Sequence, residues 1–233
     1  MNKRLQNIRM LPASLTGEKR RLLAVSGYLG FTFFLPYCFS DLAAVLLLPA
    51  GTAFLWLLWF LREPAGERPL ADILDIKPFS RGQPLLILAF FFTTVAVLAA
   101  GIALTRCGLD FFGIPYQPEQ KLIRVLKRSS PMVKIMIGLT TSILSPFGEE
   151  IVFRKIIFEH LRPRGTLWAV ILTSALFSVL HFYLAGLLAL ALFGVILQLL
   201  FLKTGNLRCS ITLHTVFNLL MFFSSICKTG QAT

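Results

Sequence analysis

Acidic residues are scarce in this chain. Only 11 of its 233 residues are Asp or Glu, against 23 Lys and Arg. After Met132 the acidic residues are Glu149, Glu150 and Glu159. A carboxylate inside or at the edge of an apolar membrane segment is costly and usually marks a function. The adjacent pair Glu149 and Glu150, at the end of an apolar run, is therefore the first candidate for chemistry.

Cysteine is also rare, and several diagnostic patterns are missing. None of the four cysteines forms a CxxC pair, which excludes a disulfide framework built on such spacing. No HExxH sequence occurs, so the helix typical of soluble zinc proteases is absent. No internal repeat is visible either, which disfavours a small transporter, a class that buried Glu and His would otherwise suit. The cysteines are Cys38, Cys107, Cys209 and Cys227.

Apolar residues, in contrast, are in excess and are gathered in long uncharged blocks. They make up 56% of the chain, with a mean hydropathy of +0.74, whereas soluble domains are about 45–50% apolar. A membrane crossing needs about 20 helical residues. One helix over 167–202 would be about 54 Å long, so Gly186 predicts a reversal there. We predict an all-α fold, a polytopic membrane helical bundle with about seven transmembrane helices: 22–39, 42–61, 84–105, 131–147, 167–184, 187–202 and 210–227.

The basic residues predict an orientation. An N-terminus in the cytoplasm places most Lys and Arg on the cytoplasmic side, as the positive-inside rule requires. We therefore expect a multi-pass integral membrane protein of the bacterial cytoplasmic membrane. Residues 119–130 disagree, because they fall on the outer side and read as a basic amphipathic helix. Either this helix lies in the headgroup plane or one span is miscounted.

The chain divides in sequence into a membrane part and two short ends. We predict a basic cytoplasmic N-terminus over 1–21, N-terminal membrane helices over 22–130, a catalytic core over 131–227 and a tail over 228–233. The net charge of +12 does not indicate nucleic-acid binding, because no aromatic-interleaved basic platform or reader motif accompanies it.

Helical spacing gives the two adjacent glutamates different roles. Glu150 and Arg154 are four residues apart on one helix face, where an ion pair can form. Glu149 points about 100° away from Glu150, so its carboxylate is left to face another group. On spacing alone, the pair fits equally well as a cap of a membrane helix at the water interface.

Two later apolar runs carry histidines. Phe177 lies one helical turn before His181, where it can pack on the ring. His214 and Asn218 share a face and offer donors that suit an oxyanion. Each histidine also fits an interhelical hydrogen bond. Together with Glu149, however, these residues come from three spans and meet only inside a bundle, where they could activate water or hold zinc.

Three motifs in this region resemble those of the CPBP intramembrane proteases, the family that includes the type II CAAX prenyl endopeptidases and the bacterial Abi-type proteins. EExxxR is present at 149–154, FxxxH at 177–181 and HxxxN at 214–218, in the family's order. The resemblance covers roughly the C-terminal 100 residues. It implies a helical membrane bundle with a polar cavity, and an intramembrane endopeptidase that cleaves near the membrane-embedded or lipidated C-terminus of a protein.

The resemblance also implies roles for individual residues. Glu149 would be the base for the attacking water, and His181 would help to bind that water. His214 and Asn218 would steady the oxyanion. The supporting residues would be Glu150, Arg154 and Phe177.

The resemblance leaves cofactors and partners as expectations. We favour no cofactor, because Asn is a poor zinc ligand; if a metal is bound, its ligands would be Glu149, His181 and His214. The expected partners are a membrane protein or lipidated peptide substrate and the lipid bilayer, with no nucleic acid. The alternative is a non-catalytic membrane scaffold or immunity protein of the same fold. It is motivated by the stretch 206–213, which lacks the aromatic residue and the proline that the family often has before its third motif.

Overall fold

The computed structural model describes residues 17–34, 53 and 74–230, and the chain divides into two compact units, Met1–Leu70 and Ala71–Thr233. In the first unit, helix α1 (Gly17–Leu29) continues as π-helical turns over Gly30–Phe34. The predicted span 22–39 is therefore helical as far as Phe34. Its last residues, and the predicted span 42–61 apart from Ala53, lie outside the described residues.

The second unit consists of packed helices. Four stretches of the described chain are long and apolar enough to cross a membrane: Gln83–Phe111, Pro131–Arg164, Leu184–Thr204 and Leu207–Cys227. The prediction of a helical integral membrane protein is thus confirmed, whereas the count of about seven spans is not. The helices are α2 (Gln83–Phe111), α3 (Lys121–Arg128), α4 (Pro131–Arg164), α5 (Thr166–Leu180), α6 (Leu187–Thr204) and α7 (Leu207–Gly230).

Helix α4 is much longer than the predicted span 131–147, and that prediction was wrong about where the span ends. The helix runs on through Glu149 and Glu150 to Arg164, changing between α, π and 3₁₀ turns. Its π turns cover Thr140–Leu144 and Ile151–Ile157, on either side of the two glutamates. The helix can continue past these charges because the charged side chains meet partners inside the bundle, as described below.

The uncharged run 167–202 forms two helices, as predicted. Helices α5 and α6 are joined by a reversal that contains the 3₁₀ turn Leu184–Gly186. Two glycines let α6 approach its neighbours closely. A Cβ on Gly101 would lie 3.0 Å from the Ala189 Cα, and a Cβ on Gly194 would lie 3.0 Å from the Ser174 Cα. Small residues at helix crossings are typical of membrane bundles, where packing replaces the hydrophobic driving force.

The outer face of α2 is apolar and exposed. Large side chains such as Leu85, Phe92 and Leu104 have more than half of their surface accessible. This is the pattern of a helix that faces lipid tails. Helix α3, in contrast, buries Val125 and Leu126 and packs against α7. The predicted amphipathic helix over 119–130 is thus present as Lys121–Arg128, with Val125 and Leu126 covered by protein.

The segment before α2 is bonded to Asn206, just before the start of α7, and to α4. Asn206 exchanges two hydrogen bonds with the Lys77 backbone, at 3.0 and 3.1 Å. Lys155 reaches Asp75 at 2.5 Å. Burial alone would raise the pKa of Asp75, but the hydrogen bond and charge of Lys155 outweigh it and hold that pKa below its ordinary value. These contacts fix where α2 starts relative to the bundle.

Candidate active site

The two adjacent glutamates lie in the interior of the second unit. Glu149 is 6% exposed and Glu150 is fully buried, in the α-helical turn Ser145–Glu150 between the two π segments of α4. A cap at the water interface would leave both carboxylates solvated, so that reading of the pair is excluded. Wide π turns inside helices are frequently found at functional sites.

Glu150 forms the predicted ion pair with Arg154. The Nε of Arg154 donates to Oε2 of Glu150 at 3.2 Å, and both side chains are fully buried. The guanidinium carbon also stands 5.1 Å from the centre of the Phe177 ring, a cation–π distance. The two Nη atoms have no hydrogen-bond partner within the described residues.

His214 lies between the two glutamates and contacts both. Its Nδ1 is 3.1 Å from Oε1 of Glu150, and its Nε2 is 3.7 Å from Oε2 of Glu149. Because a carboxylate accepts, the Nδ1–H donates to Glu150, which fixes the orientation of the ring. Helical spacing predicted that the two glutamate side chains point in different directions. The imidazole of His214 lies between them. Contact of His214 with Glu150 was not foreseen.

His181 directly follows the last residue of α5. Its ring packs on the Phe177 ring, which in turn lies beside the His214 ring. The His181 and Phe177 rings are 4.5 Å apart, and the Phe177 ring is 6.0 Å from that of His214. His181 Nδ1 lies 2.7 Å from the Phe177 carbonyl oxygen. A carbonyl can only accept, so Nδ1 carries the hydrogen and Nε2 is the acceptor nitrogen of the neutral ring. The residue that follows, Phe182, has a left-handed φ of 48°, which is rare outside glycine and is often associated with functional sites.

Asn218 is held one turn beyond His214 on α7. Its Nδ2 donates to the Thr141 carbonyl oxygen at 2.9 Å. Thr141 lies in the first π segment of α4, where the helical hydrogen-bond pattern is altered. One amide hydrogen of Asn218 is therefore used to join α7 to α4, and its second amide hydrogen is the one that can serve a substrate oxygen.

The predicted metal ligands do not form a ligand group. Over residues 17–34, 53 and 74–230, no three His, Cys, Asp or Glu side chains are arranged to hold a metal ion. Nδ1 of His214 is hydrogen-bonded to Glu150, so one ring nitrogen is left for any other contact. The set Glu149, His181 and His214 therefore does not fit a resident zinc in this arrangement.

Phe193 of α6 is a site residue that motif reasoning missed. Its ring is 5.0 Å from the His214 ring and 5.0 Å from that of Phe217. With Phe177 it encloses the imidazole in apolar surface, which strengthens the electrostatic contacts of that ring. No pattern singled it out, because the chain has 22 Phe and most of them stand in similar apolar runs.

Residues 131–220 match the family model described as Type II CAAX prenyl endopeptidase Rce1-like. No curated protein and no solved structure matches the chain. The matched segment contains the three motifs, and it is the segment in which the carboxylates, the imidazoles and Asn218 are assembled. Over residues 131–220, the chain is therefore similar to the Rce1-like type II CAAX prenyl endopeptidase family.

Proposed function

We propose that this protein is an intramembrane endopeptidase that hydrolyses a peptide bond near the membrane-embedded or lipidated C-terminus of a protein substrate. The observation that carries the proposal is the buried contact of Glu149 with His214, beside the Glu150–Arg154 pair and within the segment that matches the family. A buried carboxylate in contact with one imidazole, with a second imidazole on the other side of the Phe177 ring, is suited to general base catalysis on water.

In the proposed reaction, Glu149 takes a proton from a water molecule while the water oxygen attacks the scissile carbonyl carbon. Nε2 of neutral His181 accepts the second hydrogen of that water, which orients its lone pair. The carbonyl oxygen becomes an oxyanion that the second amide hydrogen of Asn218 stabilises. The proton on Glu149 then passes to the leaving amine, so the peptide bond breaks and Glu149 returns to its ionised form.

His214 and Arg154 balance charge in this scheme. The proton that Glu149 takes from the water can pass over 3.7 Å to Nε2 of His214, where its charge and that of Arg154 compensate the two buried carboxylates, and it returns through Glu149 to the leaving amine. The ring then keeps the Nδ1 hydrogen on Glu150 and donates from Nε2 as well. This is the form in which His214 can also bind the oxyanion. The metal-free scheme needs only side chains of this chain.

The family description supports a proposal for the substrate class. A CAAX sequence is a cysteine, two aliphatic residues and a variable terminal residue, and the cysteine carries the prenyl group. The lipid would partition into the bilayer beside the apolar helices. We therefore propose a lipidated peptide end as substrate, with the N-terminus of the enzyme in the cytoplasm of a bacterial cell.

The function is tested with purified protein in detergent and a library of farnesylated peptides that end in Cys-aliphatic-aliphatic-X. Wild type is expected to cleave members of the library, and His181→Ala is expected to lower kcat/KM by about 10²-fold, because the water loses its orientation. His160→Ala is the matched control, since His160 is exposed on α4. Equal rates for His181→Ala and wild type would contradict the role of His181.

The same assay separates a metal-free enzyme from a metal enzyme and from an inactive scaffold. Activity that persists after dialysis against a chelator is expected; activity that is lost and returns with zinc would contradict the metal-free scheme. If neither library peptides nor native membranes yield a product, and variants at Glu149 and His181 keep the cellular phenotype, the protein is a scaffold or immunity factor.

A further inference from the structure

Arg106 is a cation near the end of α2, and its hydrogen-bond partners are neutral groups. Its Nη2 donates to the Pro118 carbonyl oxygen at 2.7 Å and lies 3.4 Å from the Tyr183 hydroxyl. Its Nε is buried and has no hydrogen-bond partner. Within the described ranges, no carboxylate forms an ion pair with the guanidinium. The neighbouring Asp110 instead accepts a hydrogen bond from Tyr116 at 3.5 Å.

A charge in this position is unusual. Arg106 belongs to the apolar stretch Gln83–Phe111, which is long enough to cross a membrane. Arginine in a membrane segment is costly and normally pairs with a carboxylate or serves a function. The carbonyl and the hydroxyl that satisfy Nη2 are neutral, and Asp110, one helical turn on, acts on the guanidinium only through its charge and not through a hydrogen bond. Within the described residues Arg106 thus forms no direct ion pair, and it can still bind an anion.

Arg106 stands beside the reversal that carries His181. Tyr183 is two residues after His181, so their Cα atoms are at most about 7 Å apart. The Tyr183 hydroxyl donates to the Pro118 carbonyl at 2.8 Å, and its ring covers Gly186 so closely that a Cβ there would overlap it. The reversal is thus fixed against the end of α2. The guanidinium therefore contacts a side chain that lies two residues after His181.

We propose that Arg106 binds the free C-terminal carboxylate of the substrate and so determines how far from the chain end the enzyme cuts. A guanidinium matches a carboxylate with two parallel hydrogen bonds, and the carboxylate supplies the direct ion pair that Arg106 does not form within the described residues. The inference rests on the proposed endopeptidase function and deepens it. Arg106 would then set the length of the peptide that is released. Arg106 lies on α2, outside the matched segment 131–220.

The test compares each cleavable farnesylated library peptide as a free acid and as a C-terminal amide. Wild type is expected to cleave the acid at least about tenfold faster in kcat/KM, because hydrogen bonds to charged groups contribute roughly tenfold to a hundredfold in binding. Arg106→Gln is expected to remove most of this acid preference, and Arg106→Lys is expected to retain part of it. The ratio of the two rates is unaffected by a variant that merely folds less well.

Two variants serve as controls. Arg124→Gln removes an exposed arginine of α3 that binds Gln117, and Tyr183→Phe removes the hydroxyl while keeping the guanidinium. Both are expected to keep the acid preference. Equal cleavage of acid and amide by wild type, or an equal loss on both in Arg106→Gln, would overturn the inference and leave the protease function standing. Cleavage of neither form by wild type would overturn the proposed function, and the inference with it.

Discussion

Glu149→Gln is expected to lower kcat/KM for peptide cleavage by about 10²- to 10⁴-fold, the usual contribution of a general base. The amide cannot take the proton of the attacking water, while its size and polarity leave the packing beside His214 nearly unchanged. Glu149 contacts the ring nitrogen of His214 at 3.7 Å, and this contact survives in a neutral form. The measurement is cleavage of a peptide from the farnesylated library by wild type and variant at equal protein abundance.

Glu159→Gln is the control for this loss. Glu159 is also a glutamate of α4, but it pairs with Lys155 near the helix end, and its side chain is 37% exposed. Its replacement should leave kcat/KM close to wild type. Cleavage by Glu149→Gln at the wild-type rate would remove Glu149 from the role of base, whatever the state of the remaining cluster.

Arg154→Met is expected to produce the largest loss of stability. Removing one member of a buried ion pair costs about 3–5 kcal/mol, because the remaining charge stays in a medium that cannot solvate it. Glu150 would lose its cationic partner and keep neutral contacts, with the Ser210 hydroxyl and with His214 at 3.1 Å. The measurement is the free energy of unfolding in mixed detergent micelles, with the exposed Lys127–Glu119 pair as control, where Lys127→Met should cost about 0–1 kcal/mol.

The double variant separates the ion pair from simple loss of packing. Glu150→Gln leaves Arg154 uncompensated, so it should be destabilising by itself. The combined Glu150→Gln and Arg154→Met variant should be more stable than the sum of the single losses predicts, because no unpaired charge remains. Additive losses would mean that the two side chains act through separate contacts and not as a pair.

The membrane helices could be predicted because the bilayer imposes their length. Every backbone group must be paired inside a segment long enough to cross, so uncharged runs mark helices directly. The predicted spans 84–105, 187–202 and 210–227 correspond to α2, α6 and α7. The prediction failed in α4. There the span was predicted to end at residue 147, just before the charged residues, whereas the helix continues to Arg164. Buried partners compensate those charges, and such partners are not visible in local sequence.

Contacts within one helix could be predicted, and contacts between helices could not. Spacing of four residues predicted the Glu150–Arg154 pair and the packing of Phe177 on His181, and both are present. The place of His214 between two carboxylates depends on how α7 packs on α4. The hydrogen bond of Asn218 depends in addition on the π turn at Thr141, which has no signature in the sequence.

We propose that Glu149 drives hydrolysis near the C-terminus of a membrane substrate. This role is tested by mass spectrometry of the C-terminal peptides of membrane proteins, in host cells that carry either wild type or Glu149→Gln at equal abundance. At least one protein should lose its terminal residues in wild-type cells and keep them intact with Glu149→Gln. Identical C-terminal peptides in the two strains, with normal growth of both, would contradict it.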